Sequence, residues 1–373
     1  MSRFLPGILF LFLAACAGGE STGLLIPLGD DTPAGKRFTI LSATSRGEAD
    51  QDMPRTMFGA TRADVNSFAL FHMSAPTTRK AGELTTDQTR PDPQKHFVLL
   101  SSHRLDQSQF IQRLKQEIQS RPPADRRVLI FTHGFNTRFD DAVFRFSQIV
   151  DDTGFRGVPV LFSWPSRGSA TSYGYDRDSA TFSRDKFEEV LALVGGEPTV
   201  SRVEIFAHSM GNWLTLETLR QASIANNKRA TGKLARVILA APDVDMDVFR
   251  TQISRMGSLS QKFVLYASND DKALRLSQFL FGGQGRAGEN TNISEFKHLG
   301  IEAHDLSGIP SALGKNHGKA FNDAETIQGI GTLLNEGKQE HPHGGVLSQS
   351  VEVIGDAVRR LQPGQITGQN RAR

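Results

Sequence analysis

The strongest constraint on this chain is a repeated alternation of apolar runs and helical periodicity. Residues 128–131 read Val-Leu-Ile-Phe, and behind them Phe139, Ala142, Val143, Phe146, Ile149 and Val150 recur at spacings of three and four. That spacing puts all six on one face of a helix. The run 158–164 follows, and Phe187, Val190, Leu191 and Val194 mark a second helix that stops at Gly195 and Gly196. Runs 203–207, 237–240, 263–266 and 301–306 continue the series, with a helix begun by Met210, Trp213 and Leu214 after the first of them. Strands that are apolar throughout have no solvent face. With amphipathic helices between them, they predict a mostly parallel sheet covered on both sides.

Upstream the pattern is looser. Residues 38–44 and 68–73 are short β-compatible runs joined by a polar loop, 46–62. A loop at 74–95 carries Pro76, Pro91 and Pro93 and leads into a third run, 96–100. The sheet is expected to hold about eight strands, in one α/β domain over 36–335. Hydrophobic residues at 38% and charged residues at 22% suit a soluble globular chain and not a disordered one. Lys+Arg 43 against Asp+Glu 40 gives only +3, too balanced for nucleic acid to be an expected partner.

The one cysteine excludes a disulfide framework, and its position is informative. Residues 1–15 carry Arg3, an apolar core over 4–13, then Ala14 and Ala15. This is the order of a secretory signal, and the core is too short to span a bilayer. The run Leu13-Ala14-Ala15-Cys16 resembles the bacterial lipobox, which implies that Cys16 becomes the acylated first residue of the mature chain. The expectation is an exported lipoprotein held at the membrane by several acyl chains. Ala17 is not the acidic residue of an inner-membrane retention signal, so the outer membrane facing the periplasm is the expected site. Residues 16–35, rich in Gly, Ser, Thr, Asp and Pro, read as the lipidated cysteine and a flexible tether. Residues 336–373 read as a polar tail with one amphipathic stretch: Val351, Ile354, Val358 and Leu361.

The sharpest local signal is Ala207-His208-Ser209-Met210-Gly211, where an apolar strand gives way to a helix. A serine at that turn projects its hydroxyl from the sheet edge. Small residues two positions either side let strand and helix pack closely, and here Ala207 replaces the usual glycine. The hydroxyl needs a base, and the base needs an acid to orient it; in this architecture the acid and then the base follow the serine along the chain. The strand 263–266 ends in Ser268-Asn269-Asp270-Asp271, and after the last strand comes a glycine-rich loop with His317. Asp270 and Asp271 also suit the cap of a helix starting near Lys272, and Asp243 or Asp245, after another strand, would also reach the base. His304 reads as structural. His208 flanks the serine too closely to be its base. The amide of Met210 and one from the loop His133-Gly134-Phe135-Asn136, that of Phe135, are the expected oxyanion donors. His133, Gly134, Trp164, Tyr173 and Tyr175 are candidate pocket residues, the last three because they follow a strand neighbouring the nucleophile.

Five separated strings now stand in order: FTHGFNTRFDDAVFRFSQI, FSWPSRG with YGYDRDSA, AHSMGN, LAAPDVDMDVF and YASNDDKALRLSQFLFGGQGRAGE, with TSR at 44–46 ahead of them. Together they resemble a bacterial α/β-hydrolase family, esterase/lipase-like and described as a domain of unknown function. The resemblance implies the α/β-hydrolase fold over most of 36–335, with Ser209 the nucleophile and His317 the base. Aligning SNDDKAL on the family's run makes Asp271 the acid and Asp270 the second choice. The reaction expected is hydrolysis of a small-molecule or lipid carboxylic ester through an acyl-enzyme. Amide cleavage by the same residues, or a non-catalytic binding role, are the rivals. No metal or organic cofactor is called for, and the sequence assigns no oligomeric state.

Overall fold

A computed structural model describes residues 23–51, 53–283, 285–310 and 316–336. The expected signal 1–15, Cys16 and the amphipathic stretch of the tail lie outside the described residues. Nine strands form one sheet: β1 (Lys36–Glu48), β2 (Phe58–Ala75), β3 (Val98–Leu105), β4 (Arg127–Thr132), β5 (Val158–Ser163), β6 (Arg202–His208), β7 (Leu234–Ala240), β8 (Phe263–Ala267) and β9 (Glu302–Asp305). Their spatial order is β3-β2-β1-β5-β4-β6-β7-β8-β9. Every pair from β1 to β9 across this order is parallel, while β1–β2 and β2–β3 are antiparallel.

The helices are α1 (Gln107–Gln119), α2 (Phe139–Asp152), α3 (Tyr173–Phe182), α4 (Arg184–Gly196), α5 (Met210–Ile224), α6 (Lys228–Thr231), α7 (Met246–Ser254), α8 (Lys272–Phe281), α9 (Ile293–His298), α10 (Lys319–Asn322) and α11 (Ala324–Asn335). The sheet divides the core in two. Val128 and Ile130 of β4 pack with apolar residues of α1, α4, α5 and α7, while Leu129 and Phe131 pack with those of α2 and α11. The alternation of side chains along a strand sends successive residues to opposite layers, so a strand buried on both faces must be apolar at every position. This is the α/β-hydrolase arrangement expected from the sequence. Because the central strands are parallel, the loops after β4, β6, β7, β8 and β9 gather at one edge of the sheet.

The nine strands among the described residues agree with the about eight expected, and two other sequence expectations are corrected. The polar loop expected at 46–62 is strand at both ends: β1 runs to Glu48 and β2 starts at Phe58, paired through Arg46 with Arg62 and Glu48 with Phe58 across two register shifts. Arg46 and Phe58 are buried at this end of the hairpin, but the residues between them carry no alternating apolar pattern, so periodicity does not mark it. The tether expected to reach residue 35 ends earlier. Leu24 and Leu25 are buried in the core. The Leu24 amide donates to Asp140 Oδ2 at 2.8 Å, and the Leu28 and Gly29 amides bond to Leu99 and Leu100. The apolar run Leu24-Leu25-Ile26 outweighs its small, polar surroundings.

Candidate active site

Ser209 joins β6 to α5 with φ 53° and ψ −122°, a left-handed conformation that non-glycine residues rarely adopt. The neighbouring structure holds it there. Its amide donates to Ala240 O at 3.0 Å, and Asn212 Nδ2 donates to both Ser209 O (3.0 Å) and Ala240 O (2.9 Å). Glycine is required twice. A Cβ on Gly211 would lie 2.5 Å from His133 O and 2.7 Å from Thr132 O; one on Gly134 would lie 2.9 Å from Ser209 Cβ. The two glycines let the loop after β4 close against the elbow. Ala207 is fully buried in the helix–sheet core, so its methyl group is accommodated where the usual motif has glycine.

The loops after β8 and β9 supply an imidazole–carboxylate pair. Asp271 is fully buried; its Oδ1 accepts from the Ala273 and Leu274 amides as the N-cap of α8, and its Oδ2 accepts from His317 Nδ1 at 2.7 Å. Capping and orienting the imidazole are thus done by different oxygens of one side chain. Burial pulls the His317 pKa down, but the bond to Asp271 and the charges of Asp271 and Asp243 outweigh it, leaving the pKa above its ordinary value. The linkage has a definite sign. Stability from charged His317 is full below its unfolded pKa and lost as pH rises through the higher folded one.

The alternative acids are engaged elsewhere. Asp270 takes Lys319 Nζ at 2.6 and 2.8 Å and also bonds Ser268 Oγ. Burial opposes its ionisation, yet these bonds to Lys319 and Ser268 hold its pKa below the usual value. Asp243 accepts from Tyr173 Oη (2.9 Å) and Ser277 Oγ (2.8 Å) and pairs with Arg286 Nε at 3.2 Å. Its backbone amide touches the elbow, donating to Ser209 O at 3.3 Å. His304 bonds Glu302 and stacks on Tyr266. It is a strand histidine, as expected.

Phe135 and Met210 flank the serine from the β4 loop and the start of α5. The Met210 amide, first in its helix, has no intrahelical acceptor, and among the described residues the Phe135 amide has none either. Beneath this loop lies a polar strut invisible to sequence periodicity. Arg46 is buried and donates to Ser163 Oγ (2.8 Å), Gly59 O (2.9 Å), Ser166 O (2.9 Å) and Thr137 O (2.8 Å). Asp176, also buried, accepts from Ser166 Oγ at 2.5 Å and from the Arg167 and Asn136 amides. Burial pushes the Arg46 pKa down to about 10. The sequence signals for this strut are isolated polar positions, Arg46 in TSR, Ser163 and Ser166 in FSWPSRG and Asp176 in YGYDRDSA.

The candidate pocket residues divide. Gly134 faces the nucleophile. Tyr173 packs edge-on against Phe135 at 5.3 Å while its hydroxyl reaches Asp243. His133 is buried, bonds Ser163 Oγ at 2.9 Å and stacks on Trp164 at 4.9 Å. Burial and the Arg46 charge push its pKa down to about 3, so it is a neutral structural imidazole. Tyr175 points toward β2, donating to Ala60 O at 2.8 Å under the guanidinium of Arg167. Trp164 has no exposed surface, and its indole N–H donates to His133 O at 2.9 Å. Trp164 and Tyr175 follow β5, but packing turns the indole to His133 O and the phenol to Ala60 O. Trp164→Ala is therefore expected to cost about 3–5 kcal/mol of stability and not to alter substrate selectivity. Urea unfolding checks the first, and an ester-length series on the folded fraction the second.

At low identity the chain is similar to three solved hydrolase structures. A CIB-like hydrolase from Thermoplasma acidophilum is 15% identical with a TM-score of 0.36, over 57% of this chain and 87% of that one. A Thermogutta terrifontis esterase is 9% identical (TM-score 0.33; 81% of this chain, 90% of that one), and a Bacillus subtilis carboxylesterase 10% (0.31; 54% and 81%). An uncharacterized Nostoc protein is 24% identical over 123 residues, 26% of this chain and 32% of the relative, so the match spans about a third of that relative's length. The model of one family, described as alpha/beta hydrolase of unknown function (DUF900), matches residues 106–334. That stretch runs from the cap of α1 to the last turn of α11 and holds the elbow, the imidazole–carboxylate pair and the β4 loop: the chain belongs to this α/β-hydrolase family.

Proposed function

We propose that the chain is a serine hydrolase of carboxylic esters. The observation that carries this reading is the 2.7 Å bond from His317 Nδ1 to buried Asp271, at the same sheet edge as a serine on a strained strand-to-helix turn. With Nδ1 committed to Asp271, Nε2 is the nitrogen left to take the Ser209 proton. Ser209 Oγ then attacks the ester carbonyl, and the Phe135 and Met210 amides receive the developing oxyanion. The proton passes from His317 to the departing alcohol. Water, deprotonated by the same histidine, breaks the acyl-enzyme and restores the hydroxyl. A fluorophosphonate probe tests this: wild type should be labelled, and folded Ser209→Ala and His317→Ala should not. A folded wild type that stays unlabelled overturns it.

We also propose that the enzyme is an outer-membrane lipoprotein acylated at Cys16, with a lipid ester among its substrates. Each buried methylene of an acyl chain contributes about 0.8 kcal/mol, so more than one chain anchors stably. Leu24 is docked in the core. From Cys16 that leaves eight residue steps, or at most about 28 Å of extended chain, which keeps the domain close to the bilayer. Metabolic labelling with a palmitate analogue should mark wild type and not Cys16→Ala, and the variant should leave the membrane fraction. Equal labelling of both refutes acylation at this residue.

A further inference from the structure

His208 flanks the nucleophile, and its ring is wedged between the loop that carries His317 and the β4 loop. Its Nε2 lies 3.1 Å from the backbone oxygen of His317. Its ring centroid is 4.8 Å from that of His317 and 4.7 Å from Phe321, which meets it edge-on. On the third side its Nδ1 lies 3.0 Å from where a Cβ on Gly134 would sit, so the ring fills the space that the β4-loop glycine leaves open. A carbonyl oxygen can only accept, so Nε2 carries the proton and Nδ1 the lone pair. Burial, then the charge of His317, push the His208 pKa well below its ordinary value, and the ring stays neutral beside an imidazolium.

The His317 turn needs such a tie. It is a single 3-10 turn, Asn316–Gly318, and its other anchors pull toward the acid. Asn316 Nδ2 donates to Asp270 O at 3.0 Å, and Lys319 Nζ reaches Asp270, Ser268 Oγ and Leu306 O. From the nucleophile side, the hydrogen bond to the turn comes from His208, the residue directly before Ser209. We propose that His208 is a positioning residue: its Nε2–H, donated to the His317 carbonyl, fixes the base relative to the serine hydroxyl. The inference rests on the Ser209–His317 reading of the site and adds a residue to it.

The experiment compares the full chain with His208→Gln, His208→Met and His208→Phe, using p-nitrophenyl butyrate hydrolysis and the rate of fluorophosphonate labelling. Gln places an N–H donor near the position of Nε2; Met has the same length and no donor; Phe keeps a ring and no donor. Loss of one positioning hydrogen bond should lower kcat about tenfold in Met and Phe, with KM unchanged and the melting temperature lowered by about a few degrees. Gln should recover most of the rate. If Phe fails to fold, the Gln/Met pair alone decides. A donor-free variant with wild-type kcat overturns the inference, as does a Gln variant that falls as far as Met, since packing alone would then explain the residue. If wild type itself is not labelled at Ser209, the reading of the site falls and this inference with it. If wild type is labelled and Met is labelled equally fast, the inference alone falls.

Discussion

Replacing Ser209 by alanine is expected to lower ester hydrolysis by about a millionfold while leaving thermal stability unchanged. The two effects separate because they depend on different atoms. The left-handed backbone at 209 (φ 53°) is held by the bonds of Ala240 and Asn212 to main-chain atoms. Alanine keeps the same Cβ, so it meets the same strain and the same contacts. Only the hydroxyl is lost, and without it no acyl-enzyme forms. Steady-state kinetics with a chromogenic short-chain ester, alongside a melting curve, measures both quantities. A folded variant that keeps even a hundredth of the wild-type rate would mean that the nucleophile is another group.

Asp271→Asn is expected to lower kcat by about ten-thousandfold, again in a folded protein. Asparagine still offers Oδ1 to the Ala273 and Leu274 amides, so the cap of α8 survives. Toward His317 it presents an N–H in place of an acceptor. The imidazole must then turn its lone pair to Nδ1 and its proton to Nε2, the wrong tautomer for a base facing Ser209. Asp271→Ala also removes the cap, for about 1 kcal/mol of stability, and comparing the two variants separates capping from chemistry. The pH dependence has a fixed sign. The base must be neutral, and Asp271 raises the His317 pKa, so in wild type kcat/KM should fall as pH drops through a value above 6.5. In Asp271→Asn the residual activity should lose its acid limb to lower pH. An unshifted limb would assign the titration to another group.

Much of this was legible in the sequence because it depends on neighbours along the chain. Runs apolar at every position, divided by stretches of helical spacing, leave a covered parallel sheet as the arrangement that buries them all. A serine between small residues at a strand-to-helix junction marks the elbow for the same local reason. The order serine, carboxylate, histidine then places the acid and base on successive loops at one sheet edge.

What the tertiary structure decided was which side chain faces which. Asp270 and Asp271 are adjacent, yet one is drawn to Lys319 and the other to His317; the choice depends on a turn some 46 residues further on. Trp164 and Tyr175 follow the expected strand, but the indole is satisfied by His133 O and the phenol by Ala60 O, turning both from the site. Arg46 gives no periodic signal, because the acceptors of its hydrogen bonds, Gly59, Thr137, Ser163 and Ser166, lie on three segments distant from it in the chain. Periodicity and propensity act over a few residues and fix elements and their order. Hydrogen bonds and burial between elements distant in sequence exist only once the chain has closed on itself, and they pair Asp271, not Asp270, with His317.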